Sequence, residues 1–300
     1  MKSTKAAVVQ TGSALFDTPR TLDKLGDLLA DAARRQARLV VFPEGFVGGY
    51  PKGVDFGARV GSRSAEGREW FRRYYESAID VPGPECDAIG ELASKSGTEL
   101  VVGVIERAGD GARGTLYCSA LFFHASGRLV GKRRKLMPTA MERLIWGFGD
   151  GSTLRVWDGE RGRVAAAICW ENYMPLLRMR LYRDHVAFYC APTVDDRDAW
   201  LTCMRHIAYE GRCFVLSACQ FARRADDPHD FVGSAGDEPE TVLIRGGSCI
   251  VDPFGNLLAG PRYGERCILT AELDTDLIQR GKFDLDVAGH SDRPDLFPEG

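Results

Sequence analysis

Apolar positions along the chain follow two periods. Short runs rich in Val, Ile, Leu and Phe, bounded by polar or turn residues, predict strands at 5–10, 38–44, 99–106, 116–124, 128–134, 163–169, 187–191, 213–219, 247–252 and 267–273. Apolar residues spaced three and four apart predict amphipathic helices at 19–36, 65–78, 84–96, 174–184 and 196–211. Ser126-Gly127 joins strands 116–124 and 128–134 through a short connection, whereas other strands are separated by helices. Hairpins and strand–helix units in one chain predict a layered α/β or α+β fold. The glycine-rich stretches 109–114 and 233–236 read as loops or insertions, because strand patterns continue beyond each. With no composition break, repeat or low-complexity tract, residues 1–300 are expected to form a single domain.

Composition narrows the function classes. With 44% apolar residues, 300 residues can bury a substantial core. A net charge of −3 leaves no electrostatic footprint for nucleic acid or an anionic membrane, and the basic run Lys132 to Lys135 is too short to change that. The N-terminus lacks the apolar core of a signal peptide, and no stretch of eighteen apolar residues occurs. Nine cysteines scattered through apolar segments read as thiols of a reducing, cytoplasmic compartment. Neither CxxC nor HExxH spacing is present and the five histidines are far apart, so no metal site is expected. Gly147-Phe148-Gly149-Asp150-Gly151 lacks the spacing of a phosphate loop.

Three segments carry the chemistry. Arg163 to Ile168 reads as a strand and the residues after Cys169 as a sharp turn into a helix, which would hold the thiol at a sheet end where helix amides favour thiolate. Leu39 to Phe46 is a strand that ends in Glu44, between Pro43 and Gly45. Gly131 to Pro138 is a basic run in which Lys132 to Arg134 can face water while Lys135 adjoins apolar Leu136 and Met137. Taken singly, Cys169 would read as a core cysteine, Glu44 as a strand-end ion pair and Lys135 as part of a solvated face.

Together these segments resemble the nitrilase superfamily of carbon–nitrogen hydrolases, whose triad is Glu, Lys and Cys in that chain order. Cys169-Trp170-Glu171-Asn172 with Met174-Pro175 resembles the nitrilase branch, and similarity extends through residues 42–51, 134–139, 142–151, 191–193 and 211–218. The resemblance implies a four-layer α-β-β-α sandwich of two mixed sheets. It also implies that Cys169 is the nucleophile, Glu44 the acid and base, and Lys135 the fixed positive charge, with Glu142 matching a second glutamate. Glu142 beside Arg143 also fits a surface ion pair. The implied reaction converts an organic nitrile and water to a carboxylic acid and ammonia through a covalent thioimidate and thioester, without metal or organic cofactor.

Trp146, Trp170, Tyr173, Pro192 and Thr193 are the candidate substrate-binding residues by their place in the matching motifs, although the aromatic ones also suit a core. The rival readings are an amidase or carbamoylase with the same triad, and an inactive assembly or binding protein on the same fold. The terminal segment 287–297 resembles the family's GHYxRPD motif with Ser291 in place of the aromatic residue, and the short tail after it argues against large spirals. Apolar residues of 174–184 and 196–211, Met174, Leu176 and Trp200 among them, predict a homodimer interface in excess of one core-facing stripe.

Overall fold

A computed structural model describes residues 3–109, 113–228, 230 and 238–297. The chain runs β1 (Ser3–Gln10), α1 (Thr18–Arg34), β2 (Leu39–Val41), α2 (Ala65–Ser77), β3 (Ile79–Asp80), α3 (Pro84–Ser96) and β4 (Glu99–Arg107). It continues with β5 (Leu116–Phe123), β6 (Leu129–Arg134), β7 (Trp157–Asp158), β8 (Arg163–Ala166), α4 (Pro175–Arg183), β9 (Phe188–Thr193) and α5 (Asp198–Gly211). The remaining elements are β10 (Phe214–Cys219), β11 (Phe221–Arg223), β12 (Val242–Arg245), β13 (Cys249–Val251), β14 (Leu257–Ala259), β15 (Cys267–Asp274) and α6 (Asp276–Asp284).

Helix starts follow local chemistry. The Asp17 carboxylate accepts from Arg20 N–H at the start of α1, Ser64 Oγ accepts from Gly67 N–H at the start of α2, and prolines open α3 and α4. One sheet has the order β15-β1-β2-β4-β5-β6 with β3 paired to β4; the other has β14-β13-β10-β9-β8-β7. Both are mixed: β1, β2 and β4 run parallel, as do β8, β9 and β10, while β15, β5, β6 and β13 pair antiparallel. The inner faces meet through Val8, Val41 and Phe122 on one side and Phe188, Phe214 and Leu216 on the other. Leu25, Leu29 and Ile89 of α1 and α3 cover the outer face of the first sheet. Leu177, Leu181, Trp200, Met204 and Ile207 of α4 and α5 cover that of the second. The result is the four-layer sandwich.

Several expectations need correction. Most of the α4 and α5 residues read as surplus for a dimer interface fill the chain's own core, because each helix already lies on a sheet; Leu176 and Tyr209 are the ones that stay exposed. The basic run is not a solvated face. Arg133 is buried, and Lys132 and Arg134 both pair with buried Glu106. Cys169 is followed by a single 3-10 turn, Cys169–Tyr173, and the helix waits until Pro175. Strands β3, β7, β11, β12 and β14 and helix α6 were not anticipated, being too short or too polar to show a period. Ser291 donates its N–H to Asp286 O at 3.0 Å, closing the turn after α6. Stretch 233–236, part of stretch 109–114, and the last residues of the tail lie outside the described residues.

Candidate functional site

Glu44 lies just past β2, Lys135 just past β6, Cys169 just past β8, and Thr193 ends β9. Topology thus delivers a carboxylate, an ammonium and a thiol to one edge of the sandwich, beyond the carboxyl ends of parallel strands where α/β sheets commonly bind ligands. All three side chains are buried.

Cys169 adopts a left-handed backbone at φ 53°, a conformation that costs a non-glycine residue about 1–3 kcal/mol. Its surroundings hold it there. Asn172 Nδ2 donates to Ala167 O at 2.8 Å and to Cys169 O at 2.7 Å, and Thr193 Oγ1 donates to Cys169 Sγ at 3.3 Å.

Lys135 Nζ donates to Glu44 Oε1 and to Glu142 Oε2, each at 2.7 Å, and lies 5.5 Å from the centre of the Trp146 ring. Glu142 is fully engaged. Its Oε2 also accepts from Thr139 N–H at 2.6 Å, and its Oε1 accepts from Tyr50 Oη at 2.9 Å. Glu44 differs: Oε1 is bound by Lys135 and approached by Cys118 Sγ at 3.6 Å, while Oε2 is buried with no hydrogen-bond partner among the described residues.

The electrostatics of the cluster favour neutral thiol over thiolate in the free site. Burial pushes the Cys169 thiol well up and the Glu44 charge adds to it; the Lys135 charge and the Thr193 hydroxyl pull back only in part. The turn was expected to favour thiolate, and desolvation outweighs it. Burial likewise raises the Glu44 carboxyl above its ordinary value of 4.5, opposed first by the Lys135 charge. For Lys135, burial acts to lower the pKa, but the charges around it, Glu44 foremost, leave it well above its ordinary range and the ammonium intact.

A chamber of about 410 Å³ adjoins Glu142, lined by Tyr50, Val54, Phe56, Met141, Ile145 and Trp146 among others. Trp146 is the one proposed substrate residue in that lining. Trp170 is 43% exposed and Tyr173 partly buried, and both turn their polar atoms onto Asp195: Nε1 at 2.9 Å and Oη at 3.2 Å. Pro192 is buried inside β9, and Thr193 touches the thiol. A larger groove of about 1070 Å³ over Asp80, Arg107 and Asp150 contains none of the cluster residues.

Three polar residues of the site were not singled out from sequence. Tyr50 ends the Gly48-Gly49 turn, where both glycines have φ above 90° and the chain reverses beside Glu44. Glu171 and Asn172 lie two and three residues after Cys169, and their placement in an apolar strand-end context is the same signal that marked Glu44. No group of three or more His, Cys, Asp or Glu arranged for a metal ion occurs among the described residues, and no described helix is long and apolar enough to cross a membrane.

The sequence pattern of the carbon-nitrogen hydrolase family matches residues 5–283. The chain is 56% identical over 293 residues to a nitrilase of Bradyrhizobium diazoefficiens, covering 98% of this chain and 90% of that one. It is 53% identical over 297 residues to an aliphatic nitrilase of Sinorhizobium fredii, covering 99% and 95%. A bifunctional nitrilase/nitrile hydratase of Nicotiana tabacum is also 53% identical over 297 residues, with 98% and 84% covered. Among solved structures, Saccharomyces cerevisiae Nit3, a member of branch 10 of the nitrilase superfamily, superposes with a TM-score of 0.74 at 22% identity and 97% coverage of both chains, which supports the fold. With the family pattern and these relatives spanning nearly its whole length, the chain belongs to the carbon–nitrogen hydrolase family, in its nitrilase branch.

Proposed function

We propose that this enzyme hydrolyses an organic nitrile to the carboxylic acid and ammonia, with Cys169 as nucleophile. The observation that carries the reading is the buried Glu44 carboxylate: one oxygen is pinned by Lys135, the other has no protein donor by geometry among the described residues, and the Cys169 thiol lies close enough to draw down, by hydrogen bonding, the pKa that burial raises. As Cys169 Sγ bonds to the nitrile carbon, the thiol proton passes to Glu44 and on to the nitrile nitrogen, giving a thioimidate. Water adds to its carbon, with Glu44 accepting a proton and returning it to nitrogen. Ammonia leaves, and the resulting thioester is cleaved by a second water that restores the thiol. Two waters are consumed for each acid and ammonia released. Lys135 offsets charge in each tetrahedral species. Glu142, saturated by Lys135, Thr139 and Tyr50, holds the lysine rather than moving protons.

The raised pKa of Glu44 suits a group that must both take and give protons near neutral pH. Expulsion of sulfur instead of ammonia from the first tetrahedral species would release the amide. That branch is favoured by the resemblance to relatives described as bifunctional nitrilase/nitrile hydratase. The apolar chamber beside Glu142 takes the organic group of the nitrile, so uncharged aliphatic or aromatic nitriles are the proposed substrates. Nine unpaired cysteines fit a reducing compartment.

Ammonia release from a panel of nitriles and their matching amides tests this, together with the mass of the quenched enzyme. Turnover of nitriles with an adduct on Cys169 is expected. Turnover of amides alone would assign an amidase, and no ammonia from either series would leave the fold without this chemistry.

A further inference from the structure

Glu171 and Arg133 are both buried, and neither takes part in the proton transfers above. Glu171 Oε1 accepts from Arg133 Nη2 at 2.7 Å and from Leu136 N–H at 2.6 Å, while Oε2 accepts from Ile168 N–H at 2.9 Å. Leu136 directly follows Lys135, and Ile168 directly precedes Cys169. A single carboxylate therefore grips the residues flanking the cation and the thiol. The two come from different sheets: Lys135 extends β6 of the first, Cys169 the turn after β8 of the second. Arg133 is fixed at its other end by donating Nη1 to Arg134 O.

A buried carboxylate is tolerable only when charge and hydrogen bonds compensate it, and here a guanidinium and two amides do so. Geometry matters as much as charge. Reaching Arg133 and Leu136 with one oxygen and Ile168 with the other requires the full length of a glutamate. A shorter aspartate keeps the charge but cannot reach both backbones. A glutamine turns an amino group toward one of three donors.

We infer that Glu171, braced by Arg133, is a positioning residue that sets the register of Lys135 against Cys169 across the two sheets. This rests on the reading of Cys169 as nucleophile and Lys135 as its cation. When the brace loosens, Lys135 moves from the thiol and its charge no longer offsets burial there. The thiol becomes harder to ionise and the attacking step slows. Substrate affinity is set elsewhere, in the chamber of Tyr50, Val54 and Trp146, and stays as it was.

The test compares the intact chain with its Glu171→Asp variant by kcat, by KM, and by the rate at which iodoacetamide alkylates Cys169 as pH is raised, followed by mass spectrometry. A fall in kcat of about tenfold or more, KM within about twofold, and an alkylation inflection moved to higher pH, all with cooperative melting retained, are expected. Wild-type kcat and a wild-type alkylation profile in a folded Glu171→Asp chain would overturn the inference. Should that variant not fold, Arg133→Lys keeps the charge and loses the forked geometry, and the same readings apply. Failure of both to fold would also overturn it, in favour of a bond that serves the fold alone. If the unmodified chain released no ammonia from nitriles, the nitrile reading would fall, while the alkylation profile would still decide the role of Glu171.

Discussion

Glu44, Lys135 and Cys169 sit just past strand ends and are buried, whereas the chamber is walled by a loop at 50–56 and a 3-10 turn, Ala140–Leu144, with Met141 and Leu144 exposed. In the first region each charge has a fixed partner: Lys135 bridges Glu44 and Glu142, and Thr193 donates to the thiol. In the second, apart from Tyr50 and Glu142, the lining is mostly apolar, through Val54, Phe56, Met141, Leu144, Ile145 and Trp146. On the proposed reading, reaction type depends on sheet positions that tolerate little change, and substrate choice on loops that tolerate more. Substitutions in the cluster should act on kcat, and substitutions in the chamber on kcat/KM ratios between substrates.

Replacement of Cys169 by Ala is the hardest test of the cluster. Nitrile turnover should fall by on the order of 10⁴-fold or more if Cys169 is the nucleophile. Melting should remain cooperative, because Ala fits the space. Residual ammonia release near the wild-type rate would show that one of the other eight thiols carries the reaction. Next comes Lys135→Met, with an expected loss on the order of 10²–10³ in kcat. Removing that ammonium leaves Glu44 and Glu142 buried without their shared cation. Lys132→Ala, three positions earlier, should stay within about twofold in kcat, because buried Glu106 keeps its pairing with Arg134 and its hydrogen bond from Ser119 Oγ, and Lys132 touches none of the cluster residues. Equal losses in the two variants would erase the distinction between cluster and scaffold.

Titration probes the same region. On the proposed mechanism Glu44 has to be ionised to accept the thiol proton, and its folded-state pKa is raised, so the acid limb of kcat/KM should inflect above the ordinary 4.5. The linked stability term has a definite sign. A raised folded-state pKa means that the folded chain binds the proton more tightly, so this contribution is complete below the unfolded value and lost as pH rises through the folded one. Glu44→Gln should remove that dependence and abolish turnover together. An acid limb that stayed put in a partially active Glu44 variant would assign the proton transfers to another group.

The chamber is tested by bulk. Val54→Phe should lower kcat/KM for bulky nitriles by about 10- to 200-fold, corresponding to about 1–3 kcal/mol, and leave the smallest nitriles little changed. Val54→Ala should shift preference the other way. A uniform loss across the panel would mean that the organic group of the substrate lies outside this chamber.

The three cluster residues were legible only together, through the resemblance that their segments carry, and the chamber hardly at all; local physics set them apart from their neighbours without naming their roles. Glu44 and Cys169 each break an apolar run at a predicted strand end, and a polar residue there needs a purpose. Lys135 was separable from Lys132 by its apolar neighbours. Val54 and Phe56 show no such break, since their segment has neither a helical nor a strand period; their role appears once the chain is folded and Trp146 stands opposite. Arg133 was misread because burial inside a basic run depends on a carboxylate, Glu171, from the other sheet. Among the folded elements, the long helices and inner strands were found from their periodicity. Two-residue β7 and the short pair β11 and β12 carry too few residues to show one.

Trp170 gives the smallest and sharpest distinction. It follows Cys169, so sequence placed it against the substrate, yet its Nε1 donates to Asp195 and Arg197 stacks on its ring at 4.6 Å. Asp195 has other donors: Arg197 reaches both of its oxygens and Tyr173 Oη one of them. Trp170→Phe removes one neutral donor to a carboxylate that stays paired, a cost of about 0.5–1.5 kcal/mol, and retains an aromatic face for Arg197. Stability should therefore drop slightly while kcat and the ranking of nitriles stay within about threefold. Thermal melting and the nitrile panel, measured on the same preparation, separate the two regions. A reordered substrate ranking at unchanged stability would place Trp170 against the substrate and extend the binding surface beyond the chamber to the Asp195 side.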